Sequence, residues 1–139
     1  MYRQLLSETS AAIVENANYI AEVAEILESS TQANIIVSTK LLKRVFCDLD
    51  GQNETILKAV YGSKELNSGV IANLLEQTAD LLSDTTSDMN DIENLLKQHG
   101  SPYTISNIKT LEEAREALVT QHTALLQSLL KNTKSEVSQ

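Results

Sequence analysis

The residues from Tyr2 to Asp50, YRQLLSETSAAIVENANYIAEVAEILESSTQANIIVSTKLLKRVFCDLD, decide the fold. They contain neither proline nor glycine, and the first glycine of the chain is Gly51. Leu6, Ile13, Ile20, Leu27 and Leu41 stand on one seven-residue ladder, interrupted only at Asn34. Such a repeat keeps one seam of a helix turned towards a partner helix. As one helix the stretch would be roughly 70 Å long, at about 1.5 Å per residue. A small globule does not accommodate so long a rod. The sequence therefore predicts a helical rod or hairpin that packs against something.

Around the ladder, Leu5, Ala12, Ala17, Val23 and Ala24 widen the apolar stripe, while Glu8, Glu15, Glu22, Glu25 and Glu28 form a solvated acidic flank. Glu28-Ser29-Ser30-Thr31-Gln32 is the weak point, because serine and threonine hydroxyls compete for backbone groups. The residues admit either a continuous helix or a break here. Beyond it Ala33, Ile36, Val37, Leu41, Val45 and Phe46 resume the apolar face, and Lys40, Lys43 and Arg44 suit a helix C-terminal end. Asp50-Gly51 then reads as the stop, and Asn53 as the cap of the next helix.

A second helical region is expected over 53–99, with a short helix Glu54–Tyr61, a bend near 62–69, and a long helix from about Lys64 or Ser68 to Gln98. Its later part has the cleanest repeat, Leu75, Leu82, Met89 and Leu96, with Thr78 and Thr85 making the seam wetter. Gly100-Ser101-Pro102 ends it. Tyr103 to Lys109 reads as an extended connector, and Thr110 with Glu113 as a reciprocal cap opening a third region over 110–131. Leu111, Leu118 and Leu125 carry that region's repeat, and 131–139 reads as a polar tail. The fold class is all-α: one domain over 1–130, an elongated antiparallel hairpin or bundle of three helical regions with coiled-coil-like seams.

Composition narrows the function classes. Of the 139 residues, 42% are hydrophobic but only one is Phe, four are Tyr and none is Trp, so aliphatic side chains supply the core. A formal charge of −8 opposes approach to phosphate backbones and anionic lipid, which leaves basic protein surfaces as the better partners. A lone cysteine, Cys47, excludes an internal disulfide and suits a reducing compartment. No apolar run spans a bilayer and no secretory signal is visible, so an intracellular protein, cytoplasmic or nuclear, is expected. The sequon Asn53-Glu54-Thr55 then has no functional reading.

Chemistry-bearing residues are few. His122 lies among Leu118, Leu125 and Leu126, where an interface histidine is preferred to an acid/base or metal ligand. His99 suits a helix C-terminus, and neither histidine stands at ligand spacing from the other or from Cys47. Lys43 and Arg44 flank Cys47, for which a half-buried packing role is preferred to a reactive thiol. Asp80, Asp84, Asp88 and Asp91 can share one helix face. The face reads first as solvated and next as a dock for a basic partner, since the Glu-x-x-His pairs of a di-metal bundle are missing. No cofactor, metal or small-molecule substrate is expected, and no enzyme.

Asn34-Ile35-Ile36, Ser38-Thr39 and Lys43-Arg44-Val45-Phe46 resemble a small helical subunit of the fungal DASH complex, the ring that couples outer kinetochores to microtubules. Thr110-Leu111-Glu112-Glu113 loosely echoes the same family. The chain departs from it at Cys47–Gly51, where the family has a short segment with proline and glutamate. The resemblance implies a structural subunit without an active site. From the residues themselves the first expectation is a structural or adaptor subunit that joins other helical proteins, or a second copy, through apolar helix faces. Leu6, Ile13, Ile20, Leu27, Leu41, Val45 and Phe46, with Leu118, Leu125 and Leu129, would form that interface. The alternative is a stand-alone acidic bundle, an inhibitor or chaperone, whose carboxylates cover a basic face of a target.

Overall fold

Hydroxyl-bearing residues break the rod. The computed structural model describes residues 2–62, 68–98 and 102–137. In it helix α1 spans Tyr2–Leu27 and helix α2 spans Ala33–Tyr61. Ser30 N–H bonds back to the Leu27 carbonyl at 3.1 Å, and the Ser30 hydroxyl accepts the Gln32 N–H at 3.2 Å. The side chain thereby captures a donor that a continuous helix would have used. Lys43 reaches Glu28 across the turn at 2.6 Å, an exposed pair that adds little stability.

Helix α3 spans Ser68–Lys97 and helix α4 spans Pro102–Val137. There are thus four helices, not three helical regions, and among the described residues there is no strand. Each helix packs on its neighbours in sequence, α4 closes on α1 and α1 also meets α3, while among the described residues the backbones of α2 and α4 do not approach each other. That is an up-down-up-down four-helix bundle. Packing is densest within the hairpins α1–α2 and α3–α4 and looser where the hairpins meet.

The bundle has one buried seven-residue ladder per helix. They are Leu6-Ile13-Ile20-Leu27, Ile35-Leu42-Leu49-Ile56, Leu75-Leu82-Met89-Leu96 and Leu111-Leu118-Leu125. The ladder of α2 runs through Leu42, one residue beyond Leu41, because the turn resets the phase. It then continues through Gly51 to Ile56, so the expected stop at Asp50-Gly51 is helix interior. Nothing lies within 4 Å of where a Gly51 side chain would sit, and Gly51 is there without being needed for a turn. Asn53 is no cap either; it is buried on the inner face of α2.

The chain leaves α2 at Gly62 in an extended conformation, φ −67 and ψ 155. A Cβ there would lie 2.5 Å from the Lys58 carbonyl oxygen, so this exit suits glycine alone. Arg3 donates to the nearby Val60 carbonyl at 3.3 Å, satisfying an end group of α2. The expected break near 62–69 thus falls between α2 and α3, with Lys64 outside the described residues. Pro102 opens α4 directly, its missing N–H costing nothing in a first turn. The connector expected over Tyr103–Lys109 is therefore helical, with Thr104, Asn107 and Ile108 buried. Thr110 is not a cap, since its hydroxyl donates within α4 to the Ser106 carbonyl at 3.3 Å. Helix α4 also runs past 131, to Val137. Among the described residues no helix is long and apolar enough to cross a membrane.

Candidate functional site

The residues expected at a partner interface are mostly spent inside the chain. Leu6, Ile13, Ile20, Leu27, Val45, Leu118 and Leu125 are buried in the core, and Phe46 and Leu129 pack partly buried against it. Only Leu41 stays exposed, at 37%. The physical reason is the turn at 28–32. It folds the long stretch back on itself, so that the two halves cover each other's stripes and the second hairpin covers what remains.

Polar groups bridge the helices at three of their contacts. Ser10 Oγ on α1 donates to Asn53 Oδ1 on α2. Beside Asn53, Gln52 Nε2 donates to Thr78 Oγ1 on α3 at 2.8 Å; beside Ser10, Thr9 Oγ1 accepts Gln121 Nε2 from α4 at 2.7 Å. The two threonine hydroxyls donate in turn to the Leu74 and Leu5 carbonyls, each at 2.7 Å. All four helices are thereby joined by a belt whose donors and acceptors match. Thr78 and Thr85, expected to make the α3 seam wetter, are buried in it and donate their hydroxyls to carbonyls of their own helix.

Helices α3 and α4 are also tied by a buried ion pair. Arg115 Nε meets Glu93 Oε2 at 2.7 Å, and Arg115 Nη2 meets Glu93 Oε1 at 3.2 Å. The Glu93 side chain is only 1% exposed. The fork geometry suits a carboxylate, and the hydrogen bond to Glu93, opposed by burial, raises the Arg115 pKa above its usual value. Neither residue stood out in the sequence, where Glu93 reads as one more acid among many. The available signal was its place beside Ile92, on the inner side of the Met89-Leu96 repeat.

The chemistry-bearing candidates are not brought together. His122 is half-buried on α4 and Cys47 lies on α2, and among the described residues the backbones of these helices do not approach each other. Cys47 is exposed, not half-buried, because it sits on the outer face of α2 opposite the ladder. His99 lies outside the described residues. Among the described residues no three histidine, cysteine or carboxylate groups are placed to hold a metal ion.

Two open grooves mark the seams where the hairpins meet, on opposite sides of the bundle. The α2/α3 groove is lined by Leu41, Arg44, Val45 and Asp48 on one side, and by Leu81, Asp84, Asp88, Asp91 and Ile92 on the other. The α1/α4 groove has Glu15, Tyr19 and Glu22 facing Glu113 and Ala117, with Asn16 and Ala114 buried beneath. The sequence-predicted carboxylates thus divide between two faces, and Asp80, though exposed, lies outside the α2/α3 groove. Comparison with family models, with curated proteins and with solved structures returns no match to this chain.

Proposed function

We propose that the chain is a non-enzymatic binding module, a self-contained acidic four-helix bundle that docks on a basic surface of another protein. The observation that carries this reading is the burial of all four ladders together with rows of exposed carboxylates on two of the helices. Glu8, Glu15, Glu22 and Glu25 on α1 and Asp80, Asp84, Asp88 and Asp91 on α3 are all exposed. With a net charge of −8, such a surface draws a basic partner in and orients it.

A second reading is that of a subunit assembling through apolar helix faces into a larger helical complex, DASH-like at kinetochore microtubules. One observation favours it. Ile36, Val37 and Leu41 are exposed within the same short segment that carries the DASH resemblance.

Light scattering on the purified chain, with capture from its own cell extract at about 50 mM and about 500 mM salt, separates the two. The docking reading expects a 15.3 kDa monomer and a partner released at the higher salt. Multiples of that mass, or a partner held undiminished at high salt, overturn it in favour of assembly through apolar faces.

A further inference from the structure

The two grooves carry similar charge but differ in their floors. The α1/α4 groove has Asn16 and Ala114 as its buried lining, with no large aliphatic side chain to grip. In the α2/α3 groove Val45 and Ile92 form a buried floor, Leu81 is half-buried, and Leu41 stands 37% exposed at the edge. Leu41 is the residue beside the α2 ladder, turned off the core and towards α3. Around these aliphatic groups stand Asp48, Asp84, Asp88 and Asp91, all exposed. Among the described residues none of the four carboxylates has a hydrogen-bond or ion-pair partner. Asp84 and Asp88 are four apart on α3, and Asp88 and Asp91 three apart, spacings at which like charges repel. An apolar cleft walled by unpaired negative charge is complementary to a ligand with an aliphatic ridge flanked by cations.

We propose that the α2/α3 groove seats a basic amphipathic helix of a partner protein. The helix lays its aliphatic ridge on Leu41, Val45, Leu81 and Ile92 and sets lysines or arginines against Asp48, Asp84, Asp88 and Asp91. This rests on the docking reading above and names the face and the partner's chemistry. A helix fits better than an extended peptide, because the groove walls are helix side chains and offer no strand edge. An extended backbone would lie unpaired on aliphatic groups, whereas a helix satisfies its own. Residues 81 to 92 on α3 span about 16 Å, enough for roughly three turns, or about eleven residues, of partner. Arg44, the one cation lining the groove, favours the C-terminal end of that helix beside it.

The test uses a fluorescein-labelled Leu/Lys amphipathic peptide of about 16 residues, read by anisotropy at about 150 mM salt. Three variants of the full chain are compared, each checked for helicity. D84N/D88N/D91N neutralises the groove, E15Q/E22Q/E113Q removes the same charge from the opposite groove, and L41S removes the exposed aliphatic group. The expected result is about tenfold weaker binding for the first, a change within about twofold for the second and several-fold weakening for the third. Equal weakening by the two charge variants overturns the groove but leaves docking by the acidic surface standing. Binding that neither charge variant weakens, and that survives high salt, overturns both. No binding of the peptide, or a dimer of this chain that L41S dissolves, overturns the groove alone; salt-sensitive capture of a natural partner still decides the docking reading.

Discussion

Replacing Arg115 with methionine would leave the Glu93 carboxylate in the core without its counter-ion. Removing one member of a fully buried pair typically costs about 3–5 kcal/mol, because the remaining charge is uncompensated. Here the Arg115 side chain is 26% exposed, so water reaches one end of the pair and screens part of the loss. We expect about 2–3 kcal/mol. With a urea dependence of about 2 kcal/mol per molar, the unfolding midpoint should fall by about 1–1.5 M. The double variant E93L/R115M, which removes both charges, should return near the parent, since an apolar pair of similar volume is often neutral. The pH dependence follows from the raised Arg115 pKa. A raised folded-state value gives a contribution complete below the unfolded value, itself far above neutral pH, and lost only as pH rises through the folded one. Arg115 therefore stays charged throughout the neutral range, and its own titration adds no pH dependence to the R115M deficit there. An R115M midpoint unchanged within error, or a double variant as weak as the single one, would show that the pair does not hold α3 to α4.

Two further outcomes follow from the fold. Gly51→Ala should stabilise the chain by about 0.5–1 kcal/mol, since Gly51 is helix interior with open space for a Cβ; a loss of stability in thermal denaturation would place a chain stop there instead. Ile13→Asp with Ile20→Asp puts two carboxylates where the parent side chains have no exposure. Each charge should cost several kcal/mol, against a total stability of about 5–15 for a domain of this kind. The far-UV helical signal should collapse, and a double variant that stays cooperatively helical would mean that this face is not in the core.

The ladders of α1, α3 and α4 were legible in the sequence, and the all-α class with them, because a seven-residue aliphatic repeat suits helices packed side by side. What the sequence obscured was phase. Leu27 and Leu41 are fourteen apart, so spacing alone carries the ladder of α1 through the turn to Leu41, while the buried α2 series begins at Ile35. The uninterrupted run Ile35-Leu42-Leu49-Ile56 was the signal that the helix passes Gly51. At the start of α4 the inward positions include Thr104 and Asn107, and polar residues there masked the helical period that Ile108 and Leu111 continue. The grooves were legible only as acidic composition. Which carboxylates share a face depends on how the hairpins meet, and no local pattern encodes that.

The polar belt has a consequence for alignment. An interior written only in leucine and isoleucine repeats itself every seven residues, so one hairpin could slide about 10.5 Å along the other and meet a nearly equivalent surface. The Gln52–Thr78 and Gln121–Thr9 bonds, which run between the two hairpins, are not periodic. A slide of one repeat would keep a polar residue opposite only one of the two amides, Thr85 opposite Gln52 in one direction or Asn16 opposite Gln121 in the other, and would strand the second at about 1–3 kcal/mol. A few hydroxyls and amides therefore act as an index mark, selecting one docking of the hairpins from several that oil alone could not tell apart.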